Sequence, residues 1–427
     1  MAIHIKGGRV IDPGHCDGMF DLYIENGKIL KMVTPGAAPK DMSVDQVIDA
    51  TGMLVLPGLI DMHVHLRDPG FEYKESIETG CRAAVHGGFT AVCAMPNTRP
   101  VNDNRQVTEY MIRMANQAGF ARVYPAAAIS VGSKGQALSE YGDLKDAGAV
   151  ALTDDGLPVE NGQMMRRALE YAKGFNLPII SHCEDMSLAA GGCMNEGVVA
   201  TRLGLPGIPN ISESIMVMRD IGLCELTGGR LHIAHVSTEE SVQAIRDAKK
   251  RGVPVTAETA PHYFTLTEAA IVDFDTHAKM NPPLRTEKDR AAICQGLADG
   301  TLDVIATDHA PHSPLEKNVE FNMAANGIIG LETALPLSLK LVTDGVLTLD
   351  AMIRKMTINP ASILGIPTGI REGGIADITI IDPDREYILK ADELYSKSRN
   401  TPFDGWTMRG KALYTLVNGR VVYKEPS

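Results

Sequence analysis

No apolar run in this chain approaches the ~20 residues needed to cross a bilayer, and its opening Met-Ala-Ile-His-Ile-Lys-Gly-Gly lacks the basic-then-apolar build of a signal peptide. Neither a membrane span nor a secretory leader is expected. Cysteine is sparse: Cys16, Cys81, Cys93, Cys183, Cys193, Cys224 and Cys294 form no CxxC, and an odd seven argues against a closed disulfide framework, which fits a reducing cytoplasm. Positive charge is in deficit, with 41 Lys and Arg against 53 Asp and Glu and a formal net charge of −12. Nucleic acid and anionic membranes are bound by basic patches that displace counterions, so neither partner is expected. Any anionic substrate must be met by local cations. The glycine pairs Gly87-Gly88, Gly191-Gly192 and Gly373-Gly374 have neither GxGxxG nor Walker spacing and are expected to be turns. Heptad arrays, low-complexity tracts and short fixed repeats are missing as well.

What remains is the composition of an ordinary globular protein, 44% hydrophobic and 22% charged, with length enough for one large domain and an accessory one. Residues 2–56 carry short strand-like runs broken by turns, with Asn26-Gly27 as a hairpin signal and a loop at 35–39. The C-terminal stretch repeats this style around Asn418-Gly419. Because chain ends often meet, residues 1–56 and 366–427 are expected to form one small β-sandwich domain. Across 57–365 the pattern changes. Apolar runs at 59–66, 90–95, 122–128, 149–153, 178–182, 231–236, 253–257 and 302–307 alternate with longer segments, and helices are predicted at 160–173, 212–226, 239–251 and 287–297. Eight strands alternating with helices predict an α/β fold, a (β/α)8 TIM-type barrel, whose working residues sit at the C-terminal ends of its strands.

Polar residues recur at those ends. His63 and His65 lie at i and i+2 in the first run, so strand alternation turns both rings to one side while Met62 and Val64 face away. Asp154 and Asp155 follow the fourth run, His182 the fifth, His235 the sixth and Asp308 the eighth. Neutral imidazole nitrogens with carboxylate oxygens suit Zn²⁺. One carboxylate of the 154/155 pair could join a His63/His65/Asp308 metal to a His182/His235 metal, which predicts metal-assisted hydrolysis. Asp308 has a second task open to it, as general acid and base, beside the plainer one of capping a helix. His232 lies an odd number of residues from His235 and is expected to be structural, like His86, His262 and His277. By the same alternation Cys183 points away from His182 into the core. Arg67, Asn97, Asn281 and His312 fall near the same face; a guanidinium suits a carboxylate and amides suit amide edges.

The segments 57–70 (Pro-Gly-Leu-Ile-Asp-Met-His-Val-His-Leu-Arg-Asp-Pro-Gly), 94–98, 154–156, 181–184, 233–238, 279–285 and 306–312 together resemble the amidohydrolase superfamily and, within it, the bacterial type I dihydroorotases, over nearly the whole length. The resemblance implies reversible cyclisation of N-carbamoyl-L-aspartate to (S)-dihydroorotate with loss of water, a step of pyrimidine biosynthesis. It implies one or two Zn²⁺ per subunit, with His63 and His65 on one, His182 and His235 on the other, Asp155 as the bridge, and Asp308 as ligand and general acid/base. It further implies a substrate held by His65, Arg67, Asn97, Asn281 and His312, its carboxylate on Arg67, with backbone contacts from Asn326 and Gly327. Two positions depart from the family. No lysine occurs in 149–156 to serve as a carbamylated bridge, and Ala-Asn-Gly at 325–327 stands where relatives have Pro-Phe-Gly. Residues 311–320 are expected to form a loop over the site. The alternatives are a hydantoinase- or allantoinase-like enzyme acting on an uncharged ring, or a homologue serving as a structural partner of aspartate transcarbamoylase. A homodimer is expected on general frequency.

Overall fold

The computed structural model describes residues 2–37 and 43–426, so part of the loop expected at 35–39 lies outside the described residues. Strands from both chain ends join in one mixed sheet, in which Leu54–Pro57 pairs antiparallel with Ile378–Ile388. Its core is aliphatic and β-branched, with Ile3, Ile5, Val10, Ile24, Val55, Ile378 and Ile380 buried. Both Asn-Gly signals are hairpin turns. Asn26 and Gly27 have φ of 51° and 80°, Asn418 and Gly419 have 51° and 68°, as a two-residue turn between twisted strands demands. The two turns pack on each other: a Cβ on Gly419 would come within 2.8 Å of Gly27 Cα.

The barrel strands are β1 (Leu59–Val64), β2 (Phe89–Ala94), β3 (Arg122–Ala127), β4 (Ala151–Leu152), β5 (Ile179–Ser181), β6 (Leu231–Ile233), β7 (Val255–Thr259) and β8 (Val304–Ile305). These are the eight runs predicted, in sequential order, each paired parallel to the next. The ring closes just beyond β8, where His309 bridges Val64 and its carbonyl accepts from His65 N–H at 2.9 Å. The predicted helices are Gly162–Lys173, Ile211–Thr227, Glu239–Lys250 and Glu287–Ala298. Three of them start on side-chain caps, from Asn161, Thr238 and Thr286, which satisfy amide groups that a helix N-terminus leaves bare.

Simple alternation fails on β1. Asp61 pairs with Val92 and Val64 with Ala94, so three steps on β1 oppose two on β2, a β-bulge. Met62 accordingly packs with Cys93, Met95, Ala126, Ile180 and Ala234, and Val64 packs in a different cluster with Leu59 and Leu66. The expectation that Met62 and Val64 share a face is corrected by that extra residue. His63 and His65 still converge. All seven cysteines are free, Cys183 lies in the core, and among the described residues no helix is long and apolar enough to cross a membrane.

Candidate metal centre

Asp155 is the pivot of the site. Its Oδ2 lies 3.4 Å from His63 Nε2 and 3.5 Å from His65 Nε2, and its Oδ1 lies 3.4 Å from His235 Nε2 and 3.6 Å from His182 Nδ1. Each oxygen therefore faces one histidine pair. Asp308 Oδ1 completes the first group, 3.0 Å from His65 Nε2 and 3.5 Å from His63 Nε2. Asp154 is occupied elsewhere: its carboxylate accepts from Ser130 N–H at 3.0 Å and Ser130 Oγ at 2.5 Å.

Separations of 3.4–3.6 Å are long for hydrogen bonds. They match the roughly 3.3–3.5 Å between donors on one tetrahedral cation with ~2.0–2.1 Å bonds. Two of these atoms, His63 Nε2 and Asp155 Oδ1, are buried without a hydrogen-bond partner among the described residues, a costly condition that a cation would relieve. Two donor groups, His63/His65/Asp308 and His63/Asp155/His235, are thus able to hold a metal ion. Electrostatics agree. Burial resists ionisation of Asp155, but His63, His182 and His235 hold it well below the usual carboxylate range. Burial likewise disfavours charge on His63, yet Asp155, Glu258 and Asp308 overcome it and favour a cation there.

Backbone conformation aims several of these groups. Arg67, His235 and Asp308 have φ of 63°, 34° and 48°, a region that side chains other than glycine enter at a cost of about 1–3 kcal/mol and that concentrates at functional sites. His235 lies past the end of β6, so its direction comes from that φ and not from its odd spacing to His232.

The cavity in front of these donors has a volume of about 200 Å³ and is lined by His65, Arg67, Asn97, Asn281, His312 and Asn326 among others. Larger cavities of about 450 and 460 Å³ lie elsewhere on the molecule and gather none of these donors. Arg67 donates to Pro311 O at 3.2 Å and approaches His312 Nε2 at 3.3 Å, with no carboxylate partner among the described residues. Burial lowers its pKa to about 10, which leaves it cationic at neutral pH. Burial and the charges of Arg67 and Lys74 push His312 far down, so it is neutral. Asn97 Oδ1 lies 2.9 Å from His65 Nδ1, and Asn281 Nδ2 donates to Glu184 at 3.2 Å, with its Oδ1 buried and unpartnered among the described residues. Gly327 uses its N–H on Lys279 O and its carbonyl on Lys317 and Asn400, so its backbone is already engaged. The short helix Pro314–Lys317 lies in the loop expected over the site.

Three residues that the sequence did not single out, and His262, which it marked as structural, adjoin these groups. Glu258 lies 2.5 Å from His63 Nδ1; the predicted seventh strand stopped at Ala257, one residue short of it. Glu184 lies 3.2 Å from His182 Nε2 and was visible as the carboxylate two residues beyond that histidine. His262 is buried, its Nε2 has no partner among the described residues, and it lies near enough to Asp308 for that carboxylate to act on it. Asn400 donates to Ala310 O and Gly327 O, and accepts from His312 N–H. Its distance in sequence left no local signal.

Known proteins align with this arrangement. The family model described as dihydro-orotase-like matches residues 52–241. The chain is 59% identical over 424 residues to a dihydroorotase of Desulforapulum autotrophicum, covering 99% of both chains, and 56% identical over 428 residues to one of Syntrophus aciditrophicus, covering all of both. Among solved structures it is similar to an L-hydantoinase (dihydropyrimidinase) from Arthrobacter aurescens, with a TM-score of 0.88 and 25% identity, covering 100% of this chain and 96% of that one. A dihydropyrimidinase from Brevibacillus agri, at TM-score 0.83 and 22% identity over 99% and 95% of the two chains, shares the fold. Full-length identity at this level, over a barrel that carries this His/Asp constellation, means that the chain belongs to the dihydroorotase family of cyclic-amide hydrolases.

Proposed function

We propose that this chain is a zinc-dependent dihydroorotase, interconverting (S)-dihydroorotate and N-carbamoyl-L-aspartate in pyrimidine biosynthesis. The observation that carries the reading is the division of Asp155, one oxygen toward His63 and His65 and the other toward His182 and His235, beneath a guanidinium with no carboxylate partner among the described residues. His63, His65 and Asp308 would hold one zinc and His182 and His235 the other, with Asp155 between them; a single tightly held ion is the lower occupancy. Zinc bound there supplies Lewis-acid polarisation of an amide carbonyl and hydroxide at neutral pH.

The protein's own groups supply the rest. Asp308 is held ionised by His63 and His65 against the effect of its burial, so it can accept a proton from the attacking water and deliver it to the amide nitrogen as the C–N bond breaks. Cyclisation runs the same transfers backwards. Arg67 takes the substrate carboxylate, with neutral His312 beside it as a hydrogen-bonding group and no competing charge. Asn281 offers its unpartnered Oδ1 to a ring N–H, and Asn326 lines the wall where relatives place a phenylalanine. His65 and Asn97 border the same space. Gly327 acts sterically: a Cβ there would fall 2.5 Å from Ala310 O and 2.7 Å from His312 Cδ2.

The likeness to hydantoinases raises a second reading, an uncharged cyclic amide as substrate. Arg67 separates the two. For Arg67→Ala, KM for dihydroorotate should rise about 10- to 100-fold, since a hydrogen bond to a charged group contributes ~1.5–3 kcal/mol. Turnover of hydantoin by the wild type, with KM unmoved by the substitution, would establish the other substrate. The domain division at 56/57 and 365/366 belongs to this proposal. So do a homodimeric state, on general frequency, and association with aspartate transcarbamoylase, on family resemblance.

A further inference from the structure

Behind the metal-facing histidines runs a file of polar groups that is buried except at its outer end, Thr256. His63 is 0% exposed, Glu258 1% and His232 0%. Glu258 Oε1 lies 2.5 Å from His63 Nδ1, Glu258 Oε2 lies 3.2 Å from His232 Nε2, and His232 Nδ1 lies 2.8 Å from Thr256 Oγ1. An ionised carboxylate only accepts, so both nitrogens that face Glu258 must carry hydrogen. On its other side His232 meets the Thr256 hydroxyl, which also lies 3.4 Å from Leu231 O. A metal-ligating histidine must be a neutral imidazole, and with hydrogen at Nδ1 His63 would bind through Nε2, the atom that is buried without a partner among the described residues and points at Asp155 and Asp308. The file thus has an outer end at Thr256 and an inner end at His63 Nε2, with Glu258 between the two imidazoles.

β-Structure sets this polarity. His232 on β6 is in register with Thr256 on β7, and Glu258 stands two residues further along the same strand. The spacing places hydroxyl, imidazole and carboxylate in sequence beneath the bulged β1.

We propose that Glu258 is a positioning residue for the metal centre, fixing the tautomer and basicity of His63, and that His232 in turn orients Glu258. The inference rests on the metal-site reading above. A carboxylate on the distal nitrogen of a ligating imidazole raises its basicity, and losing such a partner typically costs 10- to 100-fold in metal affinity or activity.

The test is a zinc titration against a chromophoric chelator on wild type, Glu258→Gln and His232→Gln, with thermal melts of each protein stripped of metal and reloaded. For Glu258→Gln the expected result is zinc affinity weaker by about 10- to 100-fold at one equivalent only, and a smaller zinc-induced rise in Tm. His232→Gln should weaken the same equivalent by a lesser factor. A purely structural Glu258 would lower the melting temperature of the stripped protein and leave zinc affinity unchanged, and that result overturns the proposal. If Glu258→Gln does not fold, unchanged zinc affinity in His232→Gln overturns it. Wild type that binds no zinc would instead remove the reading on which it rests.

Discussion

Asp154 and Asp155 carry the same side chain on adjacent residues and do opposite things. Asp154 spends both oxygens on Ser130 and burial raises its pKa, whereas Asp155 divides its oxygens between two histidine pairs and is held strongly ionised despite its burial. Asp155→Asn should therefore keep its fold and lose more than ~100-fold in zinc affinity, a ligand counting for more than the partner behind it. Asp154→Asn should keep its zinc and lose about 1–3 kcal/mol of stability. Metal analysis with urea denaturation on both variants separates these outcomes. Lys317 gives a pH-dependent counterpart. Its ammonium is buried against the carbonyls of Lys279, Ala325 and Gly327, and burial lowers its pKa from 10.5 to about 7. Between those values the unfolded chain holds the proton and the folded protein does not, so this residue's contribution to stability is lowest below pH 7 and grows toward 10.5. The stability difference between wild type and Lys317→Met, measured by denaturation from pH 6 to 10, should grow in favour of wild type over that window; a flat difference would contradict the burial argument.

At the level of strands and turns, what was legible in the sequence was what periodicity carries. Eight apolar runs stood out because a barrel strand is covered on both faces, and the Asn-Gly pairs at 26–27 and 418–419 stood out because few residues accept positive φ twice in succession. The candidate ligand histidines and aspartates were legible because strand ends are where a barrel places its chemistry. The bulge on β1 was not legible, since an inserted residue leaves no mark in composition. Nor were the left-handed conformations at His235 and Asp308, which tertiary contacts impose. Glu258 was hidden by a strand boundary misplaced by two residues, and with it the support of His63. The glycines at special positions give a prediction. Gly419→Ala introduces a side chain at φ 68° with Gly27 Cα 2.8 Å away, and should destabilise by more than the ~1 kcal/mol that such a backbone conformation alone costs, read as a lowered denaturation midpoint.

Across the whole molecule, the segment that leaves the C-terminal β-unit near residue 390 returns to the mouth of the barrel. Lys397 N–H and Ser396 bond Glu75, Tyr395 N–H bonds Glu332, and Asn400 ties Ala310, His312 and Gly327 into one wall. The small β-unit thus contributes residues that shape the cavity, which sequence order alone did not suggest. Asn400→Ala should depress kcat/KM by about tenfold or more, in proportion to the ~1.4 kcal/mol that loosening this wall would remove, with a smaller proportional change in Tm. The central claim, that dihydroorotate chemistry depends on metal held by the His/Asp cluster, is tested most directly by following dihydroorotate hydrolysis and zinc content together on one preparation as metal is removed by a chelator and restored. Activity that falls and returns in step with zinc is the predicted result; turnover that persists in metal-free protein, or full zinc loading with no turnover of dihydroorotate, would contradict it.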